Sequence, residues 1–113
     1  NAAGSFVNPD DSTFKAAAAN ADWAKAPGFY LILTNQPGKD TWPLSGATFI
    51  LMHKKQDKPA QGLEALKFFD WAYTNGDAVA SQLDYVPMPA NVKTTIRNSW
   101  KQITDAAGAP VWK

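Results

Sequence analysis

The residue types that do chemistry are thinly spread along this chain. His53 is its only histidine, Glu64 its only glutamate and Arg97 its only arginine, and it has no cysteine. A histidine can act as a base or a metal ligand. His53, however, stands beside Lys54 and Lys55 with no second histidine or cysteine to share a metal. It reads as an exposed or ordinarily hydrogen-bonded side chain. No serine, histidine and acid can be linked by spacing into a nucleophilic triad. Glu64 pairs naturally with Lys67 along a helix, so paired-carboxylate chemistry would fall to the aspartates, among which no pair stands out. The lack of cysteine removes disulfides, thiol nucleophiles and thiolate metal sites. Gly38, Gly46 and Gly76 do not form a phosphate-cradling loop, since neither GxxxxGK[ST] nor GxGxxG occurs. No catalytic, metal or cofactor motif is recognised among these residues, and an enzyme ranks last of the readings they leave open.

Binding residues are a separate question. Asn8, Pro9 and Ser12 could open a helix toward an anion, but Asp10 and Asp11 would repel one, and self-capping is the preferred reading. Lys93, Arg97 and Lys101 make a basic row at helical spacing. It is either a docking surface for an acidic partner or, as we prefer, a solvated face opposite Val92, Ile96 and Trp100. Trp71 and Trp100 lie in amphipathic stretches where packing accounts for them. Trp42 precedes Pro43 in a loop and reads as a hinge packer in preference to a ligand contact. Lysine plus arginine total 11 against 10 acids, a net charge of +1. That balance argues against a nucleic-acid partner, which selects a concentrated basic face.

The elements that must position these residues follow from periodicity. The 113 residues amount to one domain, and 45% are hydrophobic. Asn8 to Asp11 reads as a helix start with Asn8 as cap and Pro9 at the first helical position. Phe14, Ala17, Ala18 and Ala21 then share one face, and Pro27-Gly28 ends the region. Residues 30–33 predict a short strand and 35–42 a loop. Residues 47–53 are apolar on both faces, the pattern of a strand buried on two sides. Pro59 opens a helix to about Asn75, with Gly76 as a left-handed stop. Its face is Gly62, Ala65, Leu66, Phe69, Ala72 and Tyr73. Phe68 and Trp71 widen the apolar surface, which predicts more than one packing neighbour. Asp77 is expected to cap a shorter helix through Leu83. The last helix starts near Pro89 or Ala90 and aligns Val92, Ile96, Trp100 and Ile103, and the tail is expected to dock Val111 and Trp112. No apolar run reaches the ~20 residues of a membrane span. The fold class is α/β, mostly helical with a few buried strands. So few strands would leave unpaired backbone and an apolar face, so further polypeptide is expected to accompany the chain.

Residues 33–54 run LTNQPGKDTWPLSGATFILMHK, 67–73 run KFFDWAY and 83–89 run LDYVPMP. Together they resemble the C-terminal part of the periplasmic phosphate-binding protein family, the solute receptors of the high-affinity phosphate ABC transporter. The similarity extends from FVNPDDSTFKAAAANADWAKA to the last helix. It implies a C-terminal fragment, roughly the last third of a periplasmic-binding-protein fold whose two lobes close on the ligand. By that pattern residues 1–42 finish lobe two and residues 43–113 return to complete lobe one. The crossing would fall near residues 41–46, which places Trp42 and Pro43 in the hinge region. The resemblance implies capture of inorganic phosphate by lobe closure and delivery to ABC transporter permease subunits. The setting would be the periplasm, or a lipid-anchored cell surface where there is no periplasm. In the family, phosphate is held by backbone N–H groups, hydroxyls, an arginine and a proton-accepting aspartate. Those ligands belong to the N-terminal and middle segments, so no phosphate-binding residue is assigned here, and Arg97 is not the family's arginine. The implied partners are phosphate, the N-terminal part of the same protein, and the permease. The alternative is a stand-alone helical interaction module with no ligand pocket, using Phe68, Trp71 and the basic row.

Overall fold

A computed structural model describes residues 1–113. Its regular structure is helical throughout: α1 (Asp11–Asn20), α2 (Pro59–Asn75), α3 (Asp77–Gln82) and α4 (Ala90–Ser99). Short 3-10 turns occupy Trp23–Lys25, Pro27–Phe29 and Trp100–Gln102. No strand forms, and β pairing is confined to isolated bridges from Lys55 to Thr104 and from Thr104 to Pro110.

Helix α1 starts two residues later than the Asn8-Pro9 signal suggests. Asp10 is the cap: its carboxylate accepts from the Thr13 N–H at 3.0 Å, and the Thr13 hydroxyl oxygen accepts from the Asp10 N–H at 3.2 Å. This reciprocal box satisfies two donors at the helix start. The Thr13 hydroxyl also donates to the Asn8 carbonyl at 2.6 Å, so Asn8 contributes backbone and not a side-chain cap. The alanine face behaves as its spacing predicts, with Ala17, Ala18 and Ala21 all buried.

Helix α2 has the predicted bounds, with Pro59 at its first position. Gly76 is not a left-handed stop, since its φ is −87°. The chain passes through it directly into α3: the Gly76 N–H donates to the Ala72 carbonyl at 2.7 Å, and its own carbonyl accepts from the Ala80 N–H at 2.9 Å. A side chain there would press on the Ala72 carbonyl at 2.6 Å, so close approach is what requires glycine. Asp77 becomes the first helical residue of α3, with Gly76 in the cap position, and its carboxylate is used elsewhere.

The core consists of two small clusters. Ala21, Trp23, Leu33 and Val92 form one, with Phe29, Leu31, Ala47, Met88 and Ile96 against it. The other is Leu66, Trp100 and Ile103, with Met52, Phe69, Tyr73, Val111 and Trp112 packed around it. The tail docks as expected, the Trp112 ring meeting Trp100 edge-on at 5.1 Å.

The expected buried strands are the main correction. Residues 44–52 make no backbone hydrogen bond through either N–H or C=O, and Leu51 is 93% exposed. Tyr30 and Ile32, in the other expected strand, are also exposed. The physical reason is that a strand is completed by its neighbours: ladder bonds and two covering layers must come from other chain segments. The molecule is correspondingly spread out. Its radius of gyration is 15.8 Å, against about 13 Å for a compact domain of this length.

Candidate functional site

An open groove of about 1140 Å³ runs between the two core clusters. Its walls are mainly apolar and include Trp23, Phe49, Tyr73, Met88 and Trp100. That exceeds the roughly 300–1,000 Å³ usual for small-ligand sites. Arg97 is not among its residues, whereas Lys15, Ser45, Thr48, Lys54 and Asn98 are.

The charged row on α4 does not face solvent as the preferred reading had it, nor does it present a docking surface. Lys93 is buried, and its ammonium donates to Asp77 at 2.6 Å and to the Tyr73 carbonyl at 2.9 Å. Arg97 donates through Nε to Asp70 at 2.6 Å and through a terminal nitrogen to the Thr74 hydroxyl at 2.9 Å. Its guanidinium lies 5.8 Å from the centre of the Tyr73 ring. Burial pushes the Tyr73 phenol above its ordinary range, an effect that the Arg97 charge partly offsets. Only Lys101 stays exposed. The two cations are therefore clamps that fix α4 across the α2–α3 junction. Sequence reasoning missed this because the partners, Asp70 and Asp77, lie sixteen or more residues away. Their spacing of one helical heptad opposite two cations one turn apart was the available signal.

Trp42 and Pro43 lie in a loop pinned to α1. The Trp42 N–H donates to the Thr13 carbonyl at 3.0 Å, and its ring tilts against Phe14 at 6.3 Å. The Pro43 carbonyl accepts from the Asn35 N–H at 2.8 Å. Beside them Thr41 is fully buried, and its hydroxyl reaches the carbonyls of Gln36 and Gly38 at 3.0 and 2.8 Å. The Asn1 amide donates to the carbonyls of Lys39 and Thr41. Thr41 went unnoticed in the sequence because an isolated threonine in a loop carries no periodic signal. Past Ser45 these anchors stop.

His53 is exposed. No group of three or more histidine, aspartate or glutamate side chains is arranged to hold a metal ion. Glu64 pairs with Lys67 at 2.7 Å as its spacing predicts. At the α1 start, Ser12 donates to the Asp10 carboxylate at 2.6 Å. That bond and the Thr13 N–H hold the Asp10 carboxyl below the usual carboxylate range. The helix start is thus occupied by its own carboxylate, as the preferred reading expected. Phe68 and Trp71 are exposed and stacked on each other at 6.4 Å, and the Phe68 ring also meets Phe69 edge-on at 5.5 Å.

The structure thus combines an apolar groove, extended segments without backbone pairing and a helical flank held by two ion pairs. Known proteins similar to this chain share one name. The chain is 46% identical over 101 residues to the phosphate-binding protein PstS of Haemophilus influenzae, covering 89% of this chain and 30% of that protein. It is 44% identical to PstS of Pasteurella multocida over 100% of this chain and 33% of the relative. PstS of Xylella fastidiosa is 44% identical over 88% of the chain and 28% of its own length. No family model matches the chain. The chain is thus homologous to a segment of the PstS phosphate-binding proteins, as its residues suggested, and it spans about 30% of their length.

Proposed function

We propose that the chain is part of a solute-binding protein that captures inorganic phosphate between two closing lobes and delivers it to an ABC transporter permease. The observation that carries this reading is the 44–46% identity to proteins named phosphate-binding protein, sustained over nearly the whole chain. The apolar groove and the unpaired segments support it as well. They are surfaces that a larger receptor would cover, and they offer no competing ligand site. In this reading residues 1–42 finish one lobe and residues 43–113 complete the other. Trp42 and Pro43 sit at the crossing, where the loop anchored by Thr41 gives way to chain without backbone bonds. The phosphate ligands come from the remainder of the protein. The receptor binds and releases its ligand without altering it, so it is no enzyme. It works in the periplasm or from a lipid anchor. No helix of the structure is long and apolar enough to cross a membrane.

Calorimetric titration with inorganic phosphate tests this proposal. The 113-residue chain alone is expected to give no binding heat, and the longer protein containing this sequence is expected to bind with one-to-one stoichiometry. Binding of phosphate by the chain alone refutes the assignment of the ligands elsewhere. A longer protein that ignores phosphate refutes the function.

A further inference from the structure

Asn75-Gly76 is the one Asn-Gly pair in this chain. It stands at the α2–α3 junction, where Asn75 ends one helix and Gly76 leads into the next. In a flexible chain such a pair is chemically unstable. Glycine has no side chain to hinder attack by its own backbone nitrogen on the asparagine before it. Here both reacting groups are engaged. The Gly76 N–H donates to the Ala72 carbonyl at 2.7 Å, and the Asn75 side-chain amide donates to the Trp71 carbonyl at 3.0 Å. Gly76 itself is helical, at φ −87° and ψ −6°. The residues on either side are tied to α4: Asp70 and Thr74 bond Arg97, while the Tyr73 carbonyl and Asp77 bond Lys93. Asn75 is exposed, so water reaches it without any opening of the core.

We propose that Asn75 is a deamidation site held closed by the Lys93 and Arg97 clamps, and that release of the junction from α4 starts a one-way conversion. In the opened junction the Gly76 nitrogen attacks the Asn75 side-chain carbonyl carbon. A carbon–nitrogen bond forms, the Gly76 proton passes to the departing amide nitrogen, and ammonia leaves behind a five-membered succinimide. Water then opens the ring at either carbonyl, to aspartate or to isoaspartate. No oxidant or cofactor takes part. Either product adds a negative charge to the last turn of α2, where the helix dipole disfavours it. The amide that donated to Trp71 is gone. Isoaspartate also adds a methylene to the backbone, at the point where the Gly76 N–H must reach Ala72 and Asp77 must reach Lys93. The product therefore does not rebuild the junction it came from. Because the chemistry is slow against local opening, its rate follows the population of the open junction.

Incubation of the longer protein containing this sequence at neutral pH tests the proposal. Ion exchange follows the acidic form, and peptide mass spectrometry assigns aspartate and isoaspartate to position 75. Conversion of the native protein is expected to be about tenfold or more slower than in urea. Asp77→Ala and Arg97→Gln each release one clamp. Both are expected to raise the native rate about fivefold to thirtyfold while keeping the helical circular-dichroism signal. Each variant is compared with its own rate in urea, which removes any effect of the substitution on the intrinsic chemistry. Gly38→Ala, in the distant loop, is expected to leave the rate unchanged, and Asn75→Gln to abolish the acidic form. A native rate equal to the urea rate overturns the proposal, as does an absence of conversion in urea. So does a Gly38→Ala acceleration as large as that of the clamp variants, which would assign the opening to global unfolding. An unchanged rate in both clamp variants, or an acidic form that persists in Asn75→Gln, overturns it as well.

Discussion

Removing Asp77 should harm this molecule more than removing the lysine it serves. The Lys93 side chain is only 10% exposed, while that of Asp77 is 57% exposed, and the two meet at 2.6 Å. At that separation the gross attraction is about 1.6 kcal/mol in water and about 6 kcal/mol at an effective dielectric constant near 20. Solvent around the carboxylate pulls the value toward the lower end. Deleting Asp77 leaves an ammonium in a largely buried position with the Tyr73 carbonyl as its one remaining partner. Loss of one partner of a fully buried pair costs roughly 3–5 kcal/mol. With one side of the pair in water, we expect Asp77→Ala to cost about 1–2 kcal/mol. Lys93→Met keeps the packed stem and removes the charge with its need, and should cost below about 1 kcal/mol. The double variant should resemble Lys93→Met alone, a coupling of about 1–2 kcal/mol. Urea unfolding followed by far-ultraviolet ellipticity measures all three. A Lys93→Met chain less stable than Asp77→Ala, or strictly additive effects, refutes the view that Asp77 exists to neutralise a buried cation.

The remaining predictions concern packing, the loop, exchange and pH. Leu66 is fully buried between α2 and the Trp100–Ile103 turn, so Leu66→Ala should cost about 2–5 kcal/mol in the same unfolding assay. Gly38 has φ +119°, and a Cβ there would meet the Asn20 amide nitrogen at 2.6 Å and the Thr41 methyl at 3.2 Å. Gly38→Ala should therefore cost about 1–3 kcal/mol and release the protection of the Trp42 amide in hydrogen exchange. Amides of residues 44–53 in the 113-residue chain should exchange at near-random-coil rates while the interior of α2 is protected; slow exchange there would contradict the unpaired backbone. The Asp10 carboxyl is held low in the folded state by its bonds to Ser12 and Thr13. A lowered carboxyl contributes stability above its unfolded value, and that stability is lost as pH falls through the folded one. Order at the start of α1 should thus decline below about pH 4, as followed by the Thr13 amide resonance. Asp10→Asn should remove that dependence.

Much of the helical half was legible before any coordinates. Proline at position 59 and the Leu66–Phe69–Tyr73 stripe fix α2 through local bonds and local spacing. Val92, Ile96, Trp100 and Ile103 locate α4 for the same reason, and the paired aromatic tail follows from two apolar residues after a turn. Local rules fail where a choice depends on a distant group. Gly76 promises a left-handed cap, yet it carries the chain straight into α3 because Asp77 is drawn to Lys93. The same pairing turns a nominally solvated basic row inward. Asn8 and Asp10 are both good caps, and the Thr13 side chain decides for Asp10.

The sequence by itself determined the helices and, through TNQPGKDTWPLSGATFILMHK, KFFDWAY and LDYVPMP, the likeness to phosphate-binding proteins. Those properties live in local periodicity and residue identity. Only the tertiary structure decided the fate of residues 30–33 and 47–53. Their composition is that of strands, but a strand's hydrogen bonds belong half to its neighbours, and within this chain no second strand pairs with them. The structure alone likewise decided that Lys93 and Arg97 clamp α4 onto the α2–α3 junction, because a buried charge takes its meaning from the partner that three-dimensional packing brings to it.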